Sequence, residues 1–417
     1  SQTYTAATGG GNIDITNTAG TTFTTTNTAV AFNTSGVDLA NNATTTIDTG
    51  TGAGDVTFQG AIETNGGDND ILTVTSGTGT VTFTGAIGAT EELGGLNVNA
   101  SSGNGVITFT STIGDSGNAG VIGTTSIGNA ATSDLNFNST IYKFDGATTI
   151  TAASGDTIDM GAGAATTFTT AADNITFATG NIELANKTNL TVDTGATGGN
   201  ITIGEIAGTS VETVTLDAGT GTTSVGVIGS GTEIGALSIG SAENGGITLN
   251  GAITTDGVVT LDGPITLATG AITITTADDA INLQGTVDGG QALTLSSGSA
   301  AITADGAIGS STALTSLTVN SSGAGTIEIT DIGTSSAAGV SGATAIGNTS
   351  TGTLTLDGTV YTTTGSQTYT AATGGGNIDI TNTAGTTFTT TNTAIAFNTS
   401  GVDLANNATT TIDTGAG

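Results

Sequence analysis

The sequence predicts an all-β chain, a parallel β-solenoid (β-helix) whose coils stack into one continuous rod. Three observations carry this reading. Residues 366–417 repeat residues 1–52 with two differences, Val30 becoming Ile395 and Thr51 becoming Ala416. Short segments that alternate apolar and polar residues run along the whole chain, separated by clusters of Gly, Asn, Asp and Ser. Phe58, Phe83 and Phe109 recur at near-equal intervals, and each is followed at one fixed spacing by an isoleucine, Ile62, Ile87 and Ile113. Self-similarity at a fixed offset is the mark of stacked units that complete each other's cores.

The strands come first. Val56-Thr57-Phe58, Leu72-Thr73-Val74, Val81-Thr82-Phe83, Leu96-Asn97-Val98, Ile201-Thr202-Ile203 and Leu317-Thr318-Val319 each place two apolar residues on one face and a polar one on the other. That period of two is a strand with a single buried face. Between strands, runs such as Ser101-Ser102-Gly103-Asn104-Gly105 supply left-handed turn conformations at little steric cost. Long helical-period stripes are missing, and Gly and Thr are poor helix formers, so helices are not expected.

Repetition exists at two scales. Residues 1–365 form one full period, and residues 366–417 begin the next. Inside the period, the segment Leu72 to Phe109 recurs in diverged form as Val214 to Leu249 and as Leu293 to Ile329. A further block ending at Tyr142 matches one ending at Tyr361, position for position at a constant offset. Apolar positions are kept while polar ones drift. The phase implies coils of roughly 20–27 residues, the size of one solenoid turn. With an advance of about 4.8 Å per coil, the chain would make on the order of 15 to 20 coils, and one period would span roughly 65 to 85 Å. No Pro-rich or charged linker interrupts the pattern, which argues against a string of β-sandwiches and for no independent globular domains.

Composition narrows the function classes. Thirty-four acidic residues stand against two lysines, Lys143 and Lys187, with no Arg or His, for a net charge of −32. Nucleic acid needs clustered Lys and Arg, so it is not an expected partner. Anionic membrane surfaces are disfavoured on the same ground. The chain contains no Cys, so no disulfide staples it. No stretch of about 18 apolar residues occurs, so no transmembrane helix is expected. The chain opens on Ser1 without a signal peptide, which predicts a processed or internal segment.

The blocks of the form GAIG-x4-LxxLxVxxxxGxGxIxF, together with TTTGSQTYTAAT from Thr362 to Thr373, resemble the repeats of giant bacterial surface and filament proteins of the filamentous-haemagglutinin-like, β-strand-repeat adhesin kind. The resemblance covers most of the chain and speaks to architecture more than to chemistry. It implies a right-handed parallel β-helix, secreted to the cell surface, extending as a fibre for adhesion, biofilm or envelope structure.

Chemical motifs are sparse. Polysaccharide-cleaving β-helices need convergent carboxylates, often with Arg, Lys or His. With no His, Arg or Cys and two separated lysines, the chain is expected not to be an enzyme and to require no cofactor. Gly66-Gly67-Asp68-Asn69-Asp70 faintly resembles a calcium-binding glycine-aspartate turn, but it stands alone. Asp68, Asp70, Asp278 and Asp279 are thus weak calcium candidates beside the simpler reading of solvated turns. Diffuse Ca²⁺ on the acidic surface would relieve self-repulsion.

Tyr4, Tyr142, Tyr361 and Tyr369 fall at matching phases. If exposed they could stack on sugars; otherwise they pack partly buried with the hydroxyl at the rim. Asn-x-Ser/Thr triplets, at Asn42, Asn99 and Asn138 among others, are acceptors only in a glycosylating host. Thr-rich runs such as Thr21 to Thr26 raise ice binding, although outward positions wander through Asn, Gly, Asp and Ser.

The expected function is therefore a non-catalytic structural segment of a secreted bacterial fibre or adhesin shaft at the extracellular cell surface. Its partners would be itself, end to end or rod to rod, and surface glycans. The alternative is a carbohydrate-binding, or less favoured ice-binding, module displayed on a β-solenoid.

Overall fold

The computed structural model describes all residues except 7–10, 34, 67, 68, 186, 241–244, 322, 400, 416 and 417. Two compact units are present, Ser1–Gly221 and Thr222–Gly417. Each is a parallel β-solenoid, and the two together make about 17 turns. Among the described residues there is no helix.

In the first unit each coil contributes to three ladders. The first runs through Gln2–Thr5, Val30–Asn33, Val56–Phe58, Val81–Phe83, Ile107–Phe109 and Leu135–Phe137, every pairing parallel. The second joins Asn12–Asp14, Gly36–Leu39 and Ala61–Thr64. It continues through single bridges at Ile87 and Ile113 to Ile141–Lys143. The third climbs Thr21–Thr24, Thr44–Asp48, Ile71–Thr75, Gly95–Val98, Thr125–Ile127 and Thr148–Ile150. The expected columns Phe58-Phe83-Phe109 and Ile62-Ile87-Ile113 are thus cross-strand neighbours. Alternation along each strand puts these residues inside and the intervening threonines outside.

The interior of the first unit is unusual in its aromatic content. Tyr4, Phe32, Phe58, Phe83, Phe109 and Phe137 form a column of near-parallel rings with centroids 4.8–5.4 Å apart. The coil rise sets this spacing, which lies in the favourable range for offset stacking. In the second unit the comparable column is aliphatic: Leu261, Leu283, Ala304, Ile329, Leu356 and Ile380 follow one another.

Register partners give the coil lengths directly. The step from Ile247 to Ile265 is a short coil, and the steps from Ile113 to Tyr142 and from Ile332 to Tyr361 are long ones. The spread is wider than the sequence phase suggests at both ends, because residues are added to or removed from corners without disturbing the ladders. Two devices tighten the corners. Buried hydroxyls clamp turns: Thr49 donates to the Gly54 carbonyl at 2.6 Å, Ser76 to Gly79 at 2.7 Å and Ser297 to Ala300 at 2.8 Å. Glycine stacks on glycine, so that a Cβ on Gly85 would sit 2.2 Å from the Gly60 carbonyl carbon, a distance no side chain tolerates.

Candidate functional site

The solenoid turns most chemistry-bearing side chains outward in columns, one residue per coil. In the second ladder of the first unit, Asp14, Asp38 and Glu63 occupy successive coils at one register position. The Asn12 amide donates to both Asp38 carboxylate oxygens at 3.2 and 3.1 Å. Glu63 accepts from the backbone N–H groups of Thr90 and Glu91 at 3.1 and 2.9 Å. Burial pushes the Glu63 carboxyl above its usual range, these N–H groups oppose that, and the Asp38 charge adds to it. In the second unit Asp379 and Asp403 stack in the same way. Burial raises the Asp379 carboxyl and the Asp403 charge raises it further.

The calcium candidates fall at two places in the sequence, residues 68–70 and 278–279. Asp68 lies outside the described residues. Asp70 has a fully buried side chain. Asp278 is exposed in a turn, where its carboxylate accepts from the Ser299 N–H at 2.9 Å and the Ser299 hydroxyl at 3.0 Å. The Asp279 carbonyl accepts from the Thr276 hydroxyl. Among the described residues no group of three or more acidic side chains is placed to hold a metal ion.

Other acids organise corners. The Glu212 side chain is buried. It accepts from the Thr209 N–H at 2.6 Å, from the Thr209 hydroxyl, and from the Lys187 N–H at 3.0 Å one coil below. Burial pushes its carboxyl up, and these donors outweigh that, holding it below its ordinary value. Lys143 donates to the Gly117 carbonyl at 3.0 Å.

The tyrosines are more deeply placed than the sequence suggests. Tyr142, Tyr361 and Tyr369 are fully buried, so they offer no ring to a sugar, and only Tyr4 is partly exposed. Tyr142 stacks on Phe168, and Tyr361 on Phe388, with centroids 4.8 and 4.9 Å apart. Their hydroxyls are satisfied internally: Tyr142 accepts from the Ser139 N–H, and Tyr361 accepts from Gly358 and donates to the Ile329 carbonyl. Burial drives both phenols well above their ordinary value.

On the third ladder of the first unit, one outward position is more regular than expected. Thr22, Thr46, Thr73, Asn97, Ser126, Thr149, Thr176 and Thr202 follow one another coil by coil. Two residues along, the column reads Thr24, Asp48, Thr75 and then the buried Asn99. A single row of hydroxyls and amides is therefore present, without the second row that a regular Thr-x-Thr face requires.

Beside Asp48 and Thr75 the corners of four coils enclose a groove of about 530 Å³. Sequence reasoning did not single it out. The signal was present in the corner lengths: residues 99–106 separate Gly95–Val98 from Ile107–Phe109, whereas only residues 76–80 separate the matching strands in the coil below.

No family model matches the chain, and no curated protein or solved structure is significantly similar to it. Among the described residues no helix is long and apolar enough to cross a membrane.

Proposed function

We propose that this chain is a structural segment of a secreted bacterial cell-surface fibre or adhesin shaft, built from tandem repeats and acting without catalysis. One observation carries the reading: copies in the sequence take the same coil positions in the fold. Gln2 pairs with Val30 as Gln367 pairs with Ile395, and Phe23 with Ile47 as Phe388 with Ile412. In the shorter internal repeat, Ile113 bridges Tyr142 as Ile332 bridges Tyr361. Repeats that are equivalent as coils can be added in series without new interfaces, which is what lengthening a shaft requires.

Composition supports the same view. A chain without His, Arg or Cys lacks the commonest general base, the guanidinium that clamps developing charge and the thiol nucleophile. Its negative charge opposes lateral sticking unless divalent ions such as Ca²⁺, bound diffusely along the acid columns, bridge neighbours. Antibodies against the chain should label intact cells, and electron microscopy of sheared surface material should show thin filaments with an axial repeat of roughly 65 to 85 Å. Label confined to the cell interior, or discrete particles in place of filaments, would overturn the proposal.

A further inference from the structure

The corner formed by residues 99–106 is held open from both sides. Asn99 takes a left-handed conformation, φ 49°, and its side chain is fully buried. The amide oxygen accepts from the Ser76 N–H at 2.9 Å, and the amide nitrogen donates to the Ser76 hydroxyl at 3.1 Å. With Asn99 anchored inward, Ser101 and Ser102 are carried outward and are exposed. From the coil above, the Asn129 amide donates to the Gly103 carbonyl at 2.8 Å. The loop therefore stands as a fixed wall, with the shorter corners beneath it as the floor.

We propose that the groove it forms binds a short neutral oligosaccharide. This site goes beyond the shaft reading and does not depend on it. The volume of about 530 Å³ lies in the range of small-ligand sites. Asp48, Thr51, Thr75, Thr78, Ser102 and Asn104 line it, giving hydroxyls, an amide and one carboxylate, the mixed donors and acceptors that vicinal sugar hydroxyls pair with. Gly50 and Gly77 put no side chain on the floor, and Gly103 puts none on the wall. No large apolar side chain lines it, so an apolar ligand meets only methyl groups and backbone carbon. An anionic one meets Asp48 and a chain of net charge −32 with no lysine in the lining. The lining groups also recur with the coil rise of about 4.8 Å, comparable with the advance of one pyranose in an extended glycan.

The test is calorimetric titration of the whole chain with cellotriose, maltotriose, mannotriose and, as the anionic probe, trigalacturonate. At least one neutral trisaccharide should bind saturably at one site per chain, and trigalacturonate should not. Thr75→Val, which removes only a hydroxyl from the groove, should weaken that binding about fivefold or more. Thr73→Val, two residues earlier on the same face and outside the groove, should leave it unchanged. Absence of saturable binding by every neutral probe, or equal affinity of Thr75→Val and the native chain, overturns the site. Either failure leaves the filament and surface-labelling test of the shaft untouched.

Discussion

Residues 1–52 and 366–417 are nearly the same sequence in two surroundings, and their burial diverges. In the first copy Val37, Leu39 and Ile47 are at most 1% exposed; their counterparts Val402, Leu404 and Ile412 are 39%, 59% and 55% exposed. The first set is covered by Ile62, Thr64 and Val74 of the next coil, whereas among the described residues no further coil of this chain lies over the second set. At the other side of each copy the order reverses. Tyr369, Ile378 and Phe388 are fully buried, and Tyr4, Ile13 and Phe23 are only partly so. Register and strand placement are kept in both copies, so the local sequence decides the coil path and the neighbouring coils decide its burial. Covering one Val, Leu or Ile contributes roughly 1.5–3 kcal/mol, so the stability of a coil belongs largely to its contacts.

The comparison can be broken at its largest element by truncating the same leucine in both copies. Leu39→Ala should cost about 2–5 kcal/mol, as core truncations do. Leu404→Ala should cost less than about 1 kcal/mol, as at a surface position. Urea unfolding followed by circular dichroism reads both, and equal losses would contradict the account.

A middle-sized effect separates the paired glutamines. The buried Gln367 amide donates to the Tyr361 carbonyl at 2.8 Å and the Thr389 carbonyl at 2.9 Å, and its oxygen accepts from the Tyr369 hydroxyl at 3.0 Å. Gln2 keeps the last two types of contact, to Thr24 at 3.2 Å and from Tyr4 at 2.9 Å, but is partly exposed. Gln367→Ala leaves buried partners unsatisfied and should cost about 1–3 kcal/mol. Gln2→Ala lets water replace the amide and should cost less, by the same measurement.

The smallest effect is in pH. Asp379 has its carboxyl raised by burial and by Asp403, so the folded state holds that proton more tightly than the unfolded state. Its contribution is present below the unfolded pKa and is lost as pH rises through the higher folded value. Thermal melts should therefore show Asp379→Asn flattening a small decline in stability on going upward from about pH 4. A native chain that instead gains stability from this residue on deprotonation would reverse the sign.

Much of the fold was legible because the solenoid repeats one constraint many times. The spacing of Phe58, Phe83 and Phe109, and of the isoleucines that follow them, is the coil length, and the ladders read it back. The match between the blocks at Tyr142 and Tyr361 identified equivalent corners for the same reason. The burial of those tyrosines was less legible, because it depends on Phe168 and Phe388 from the following coils stacking on them. Asp70 was weighed as a turn acid because it follows Gly-Gly-Asp-Asn, yet its side chain is buried beside the strand Ile71–Thr75. The groove depends on the length difference between two adjacent corners, which no single motif displays.

The comparison of the two copies also provides the most direct test of its central claim. Hydrogen–deuterium exchange with mass spectrometry can tell them apart, because the peptides Val30–Leu39 and Ile395–Leu404 differ by the methylene that separates Val30 from Ile395. Slow exchange in the first and fast exchange in the second is the expected result, since only the first is hydrogen-bonded between coils on both sides. Equal protection of the two peptides in the monomeric chain would contradict the claim that neighbouring coils, and not the local sequence, hold each turn in place.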